Sequence, residues 1–123
     1  MKVRGWVPPL LWAGVIVFAT SIPTNRVPHQ LTPFDKVIHF LMYFGLSVLL
    51  TRWVLAGRSG LRAVVISAAA AVAFGAADEW HQEFIPGRSS ELADWIADSA
   101  GAVVGAALAF AVARRRPKVA SSS

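Results

Sequence analysis

Apolar runs of near-membrane length, separated by short polar or proline-bearing segments, set the pattern of this chain. The first carries no charge from Gly5 to Asn25 and has Pro8 and Pro9 at its start, where missing amide donors cost a helix least. The second, from Val37 to Thr51, is broken only by His39, and the third, from Ala63 to Ala77, is uncharged and rich in Ala and Val. A fourth follows Asp98 and stops at Arg114-Arg115-Arg116. These runs predict helices over about 6–22, 35–55, 61–84 and 91–113, with a disordered basic and serine tail over 114–123. Residues 1–123 therefore read as one domain: all-α, an integral membrane four-helix bundle made of two transmembrane hairpins.

The connectors carry their own signals. Pro23, Pro28 and Pro33 predict an external loop from Ile22 to Phe34, and Gly57-Arg58-Ser59-Gly60 predicts a tight basic turn. Pro86-Gly87 ends the third helix, Ser89 or Ser90 can cap the fourth, and Glu91 suits its first turn. Trp6, Trp12 and Trp53 suit membrane interfaces, and Trp80 with Phe84 reads as an interfacial anchor. Ala19-Thr20-Ser21 fits a processing site poorly, so the first run is expected to remain as a span.

Composition sharpens the membrane reading. With 55% hydrophobic and 15% charged residues among 123, the chain is too apolar for an ordinary soluble fold, and the bilayer is its natural solvent. The absence of cysteine excludes disulfides, a thiolate nucleophile and cysteine-held metals. A net charge of +5 would suit nucleic acid, but the basic residues flank apolar runs and form no aromatic-interleaved stripe, so nucleic acid is excluded as a partner.

Charge instead reports topology. With four spans and both termini cytoplasmic, the inner side holds Lys2, Arg4, Arg52, Arg58, Arg62, Arg114, Arg115, Arg116 and Lys118 and no acidic residue. The outer side holds Arg26, Lys36 and Arg88, all seven acidic residues and all three histidines. The uncharged cores of the last three helices are about 15 residues, roughly 22 Å, against a hydrocarbon thickness of about 30 Å. Asp35, His39, Asp78, Glu79 and Asp98 are thus expected within the outer leaflet, facing one another and not lipid.

The candidate chemistry lies in the stretch from Asp78 to Arg88, followed by Asp94 and Asp98. Asp35, His39 and Tyr43 fall at i, i+4 and i+8 and share a helix face. Asp94, Asp98, Gly101 and Gly105 form a second stripe, whose small-xxx-small pair could serve internal packing or a homodimer. His39, Asp35, Glu79, Glu83 and Asp98 offer nitrogen and oxygen ligands, but in no H-E-x-x-H spacing. No metal and no other cofactor is assigned. A weak internal echo pairs Ile22-Pro23-x-x-Arg26 and Asp35-x3-His39 with Ile85-Pro86-Gly87-Arg88 and Asp94-x3-Asp98, as two parallel hairpin repeats would.

Two blocks carry a family resemblance: Asp35-Lys36-Val-Ile-His39-Phe-x-x-Tyr43, and Asp78-Glu79-x-x-Gln82-x-Phe84-x-Pro86-Gly87-Arg88-x5-Asp94-x3-Asp98-x2-Gly101-x3-Gly105. In these the chain resembles the VanZ-like family, small polytopic membrane proteins named for one linked to teicoplanin resistance. The family pattern usually has Asn at the position of Asp98. An amide there donates hydrogen bonds, which an ionised carboxylate cannot do. The resemblance implies a cell-envelope context and names no reaction.

The residues themselves lead to a polar site at the outer leaflet of the cell membrane. Arg88 and Lys36 would grip an anionic headgroup of a lipid-linked cell-wall precursor, or a lipoglycopeptide, with Asp35, Tyr43, Gln82, Asp94 and Asp98 completing the lining. Glu79, Asp78 or His39 would be the acid or base if the site is an enzyme acting on a lipid headgroup. The bland alternative is a purely structural polar cluster in an interaction or scaffold subunit.

Overall fold

The computed structural model describes residues 5–22, 32–57, 60–86 and 92–115, with the side chains of 32–35 and 56–57 excepted. All regular structure among them is helical: α1 (Val7–Thr20), α2 (Thr32–Gly57), α3 (Gly60–Gln82) and α4 (Leu92–Arg115). The four helices form a bundle, as the sequence pattern leads one to expect. Three of them, over Lys36–Leu55, Gly60–Gln82 and Leu92–Arg115, are long and apolar enough to cross a membrane. α1 is also apolar, but its 14 residues cover only about 21 Å at helical rise. Exposed Leu10, Phe18, Leu61, Val65, Leu92 and Ile96 give the bundle an apolar exterior suited to lipid.

Helix ends depart from the expected bounds where proline was read too strictly. α2 begins at Thr32, so Pro33 sits in its first turn, where the missing amide removes no intrahelical bond. The expected loop therefore ends sooner than Phe34. Past Gln82, the amides of Glu83, Phe84 and Ile85 bond to carbonyls three residues back, a tightened last turn that ends α3 at Gln82, earlier than expected. Gly60 starts α3 at φ +71°, a left-handed conformation that a side chain would resist. α4 runs on to Arg115, so Arg114 and Arg115, expected in a disordered tail, belong to its last turn, where cations suit the helix dipole. The proposed Ser89, Ser90 and Glu91 cap, residues 116–123 and most of the first loop lie outside the described residues.

Contacts advance in register between α2 and α4: Lys36 meets Asp94, His39 meets Asp98, Phe40 meets Gly101 and Phe44 meets Gly105. The two helices are thus parallel, and theirs is the most extensive packing in the bundle. A Cβ at Gly105 would lie 2.5 Å from the Phe44 carbonyl oxygen, and one at Gly101 closer still to that of Phe40. The glycine pair therefore serves packing inside the bundle. Ser47 adds a hydrogen bond from its Oγ to the Ala102 carbonyl at 2.5 Å.

α1 runs antiparallel to α2, with Gly5 beside Trp53 and Trp12 beside Gly45. Trp12, expected at the membrane interface, instead packs into the bundle, and its Nε1 donates to the Met42 carbonyl at 2.8 Å. A helical carbonyl keeps a second lone pair, so this bond forms without breaking the α2 ladder. The core of Ile16, Tyr43, Leu46, Ala71 and Ala102 sits directly beneath the polar end.

Candidate functional site

Up-and-down connectivity collects the polar groups at one end. Thr20 closes α1, Lys36 and His39 open α2, Asp78, Glu79 and Gln82 close α3, and Asp94 and Asp98 open α4. The described arginines Arg52, Arg62, Arg114 and Arg115 are exposed at the opposite end. Helical periodicity does the local aiming: Asp94 and Asp98 stand one turn apart on α4 and face Lys36 and His39 across the seam. Asp94 lies in the first turn of α4, where the helix dipole favours a carboxylate.

The site has two halves. In the first, Lys36 Nζ pairs with Asp94 Oδ1, and His39 Nδ1 lies 2.8 Å from Asp98 Oδ1. The other ring nitrogen of His39, Nε2, is 3.7 Å from Asp94 Oδ2. The imidazole thus bridges two carboxylates of α4 while only 2% exposed. Asp98 Oδ2 has no hydrogen-bond partner among the described residues, and it lies where a Cβ on Gly75 would come within 3.3 Å of it.

In the second half, Asp78 is the hub. Its Oδ1 accepts from Thr20 Oγ1 at 2.8 Å, and its Oδ2 accepts from Tyr43 OH and Gln82 Nε2, each at 3.4 Å. Gln82 Nε2 also donates to Glu79 Oε1 at 3.3 Å, which ties the two acidic neighbours together. Tyr43 stands at the boundary of core and site. Its ring packs against Phe74 at 6.0 Å between centroids, and its hydroxyl reaches into the polar layer.

Glu79 joins the halves. One ligand atom each from His39, Glu79 and Asp94 lies within 4.8 Å of the other two, and all three residues are buried. These are the described residues that could hold a cation.

Of the residues expected at the site, the structure brings together Lys36, His39, Tyr43, Asp78, Glu79, Gln82, Asp94 and Asp98. Arg88 and the side chain of Asp35 lie outside the described residues. Glu83 is exposed, and the half-buried His81 has its Nδ1 3.9 Å from Asp78 Oδ1. Trp80 and Phe84 stack edge to face at 5.2 Å on the exposed side, as an interfacial anchor would. Thr20 is the residue that sequence reasoning missed. It is a neutral hydroxyl at the end of an apolar run, and only the docking of α1 beside α3 gives it a carboxylate partner.

A family model described as VanZ/LLP1 matches residues 6–113. Neither a curated protein nor a solved structure matches the chain.

Proposed function

Because the chain belongs to the VanZ/LLP1 family and gathers its ionisable groups at one end of an apolar bundle, we propose a multi-pass cell-membrane protein whose polar end faces outward and binds an anionic lipid-linked or cell-wall precursor headgroup. The observation that carries this reading is the burial of the cluster. His39, Asp78, Glu79, Asp94 and Asp98 are each no more than 5% exposed between apolar helices. Polar contacts between membrane helices average about 0.6 kcal/mol, whereas a charge placed in lipid costs about 3 kcal/mol or more. Helix packing alone would be met more cheaply by Asn, Gln, Ser or Thr.

Lys36, with 36% of its side chain exposed, supplies a cation at the edge of the cluster. Arg88, a few residues before α4, would add a guanidinium fork suited to phosphate or carboxylate. The exposed arginines at the opposite end support the outward orientation, because basic residues favour the cytoplasmic side. Reporter fusions should place both termini in the cytoplasm, and an external C-terminus would overturn the orientation.

Binding a cell-wall precursor would alter sensitivity to teicoplanin-type lipoglycopeptides. Glu79→Gln and Arg88→Ala should each abolish a teicoplanin phenotype while membrane abundance stays at the wild-type level. If both variants vanish from the membrane, the cluster is structural and the binding reading fails.

A second reading, acid–base catalysis on a lipid headgroup, is favoured by one observation, the 2.8 Å contact that fixes the His39 ring against Asp98. It predicts a changed lipid or precursor profile in extracts of cells expressing the wild type but not Glu79→Gln. Identical profiles would exclude it.

A further inference from the structure

We propose that His39, Glu79 and Asp94 form a binding site for one divalent transition-metal ion of the Zn²⁺ class, with Asp98 as the residue that orients the histidine. The ligand atoms come from three different helices, so no spacing motif could announce them.

Geometry is the first support. The three ligand atoms lie within 4.8 Å of one another, and His39 Nε2 and Asp94 Oδ2 are 3.7 Å apart. Ligands of a tetrahedral zinc, at about 2.0–2.2 Å from the metal, are separated by about 3.4 Å. A contraction of at most about 1.4 Å, and about 0.3 Å for the His39–Asp94 pair, closes the site.

The histidine is the second support. A metal-binding imidazole usually donates its other N–H to a carboxylate, which fixes the tautomer and turns the free lone pair toward the metal. His39 has that arrangement: Nδ1 is held by Asp98 Oδ1 at 2.8 Å, and Nε2 faces Asp94. Asp98 itself is fully buried and has one oxygen without a partner among the described residues. A metal on Nε2 would make Nδ1–H a stronger donor and so satisfy that carboxylate better.

Charge is the third. The segment from Asp35 to Asp98 carries all seven acidic residues of the chain, and the basic residues outside the cytoplasmic flanks are only Arg26, Lys36 and Arg88. Even with those three cations present, the polar end stays acidic. A buried carboxylate cluster repels an anionic headgroup, and a divalent ion would turn repulsion into attraction. Three protein ligands leave a fourth position for water or an anionic oxygen, the open geometry of a non-structural zinc site. One imidazole with two carboxylates suits Zn²⁺ or Mn²⁺ better than the all-oxygen preference of Mg²⁺ or Ca²⁺.

The test uses tag-free, full-length protein in detergent, dialysed against Zn²⁺ alone and assayed by elemental analysis. About one zinc per chain is expected for the wild type and for His81→Ala. His39→Ala and Asp94→Asn should lose it, and Asp98→Asn should bind about 10- to 100-fold more weakly. Lys36→Met removes a competing cation from Asp94 and should bind more tightly, an effect that a merely structural role would not produce. Co²⁺ loading reports on the wild-type site without any variant: an intense visible absorption marks a four- or five-coordinate ion held by protein. Substoichiometric zinc in the wild type, zinc retained by both His39→Ala and Asp94→Asn, or a Co²⁺ spectrum like that of the aqueous ion would each overturn the proposal. No headgroup is present in this assay, so its outcome is independent of headgroup binding, which vesicles of stated anionic lipid test separately.

Discussion

The seam between α2 and α4 is held in two different ways along its length. Beside Phe40 and Phe44 the two backbones touch, because Gly101 and Gly105 carry no side chain. One to two turns nearer the polar end, the same helices meet through Lys36 with Asp94 and His39 with Asp98. The first contact is steric and leaves no room for adjustment. The second is made by polar side chains, whose torsions are free to adjust where backbone is not. Stability and chemistry are thus separated along one seam, with the rigid stretch holding the adjustable one in register.

The strongest way to break that separation is to fill the rigid stretch. Gly101→Leu places a branched side chain against the Phe40 carbonyl and must push α2 away from α4. The cost should reach about 3 kcal/mol, the upper range for overpacking, and the clash is with backbone that cannot rotate aside. Membrane abundance and detergent melting temperature should both fall sharply. Wild-type abundance in Gly101→Leu would mean that the helices do not meet there.

At the adjustable stretch, the chemistry of the substitution should matter more than its size. Asp98→Leu strands the buried Nδ1 of His39 and should cost about 2 kcal/mol. Asp98→Asn keeps the shape and an accepting oxygen, and its amide restores what the family pattern usually has there. It should therefore stay within about 1 kcal/mol of the wild type. Melting temperatures of the two variants, measured side by side, check the contrast. Equal losses would show that the position tolerates nothing but a carboxylate.

Much of this arrangement could be read from the chain alone. The fold class followed from four uncharged runs, and the polar end followed from acidic residues that all fall at the same side of those runs. His39 and Tyr43 share a face because i, i+4 spacing dictates it, and the structure buries both. What could not be read is pairing between helices. Trp12 looks like an interfacial residue in a linear scan, since indole suits the headgroup region, yet α1 lies close enough to α2 for its N–H to find a carbonyl. The His39, Glu79 and Asp94 group is hidden for the same reason, because each member sits on a different helix. Pro33 misled in the opposite way: its helix-breaking tendency is real only beyond the first turn.

The smallest effect expected, and the finest test of how the two halves are joined, is at Thr20. Its single hydroxyl proton has three acceptors in reach, Asp78 Oδ1 at 2.8 Å, the Ile16 carbonyl at 3.0 Å and the Val17 carbonyl at 3.3 Å. Asp78 Oδ1 is the nearest of the three, and a helical carbonyl already has its backbone partner, so the proton should go to Asp78. Thr20→Val is nearly isosteric and β-branched, so it removes the bond with little change in packing, and should lower stability by about 0.6 kcal/mol. Asp78→Asn weakens the acceptor and disturbs Tyr43 and Gln82 as well, which makes either single variant ambiguous. The double-mutant cycle isolates the pair. A coupling of about 0.6 kcal/mol places the proton on Asp78 and makes Thr20 the link between α1 and the acidic end of α3. Coupling within error of zero returns the proton to the carbonyls of its own helix, and Thr20 is then no link between α1 and α3.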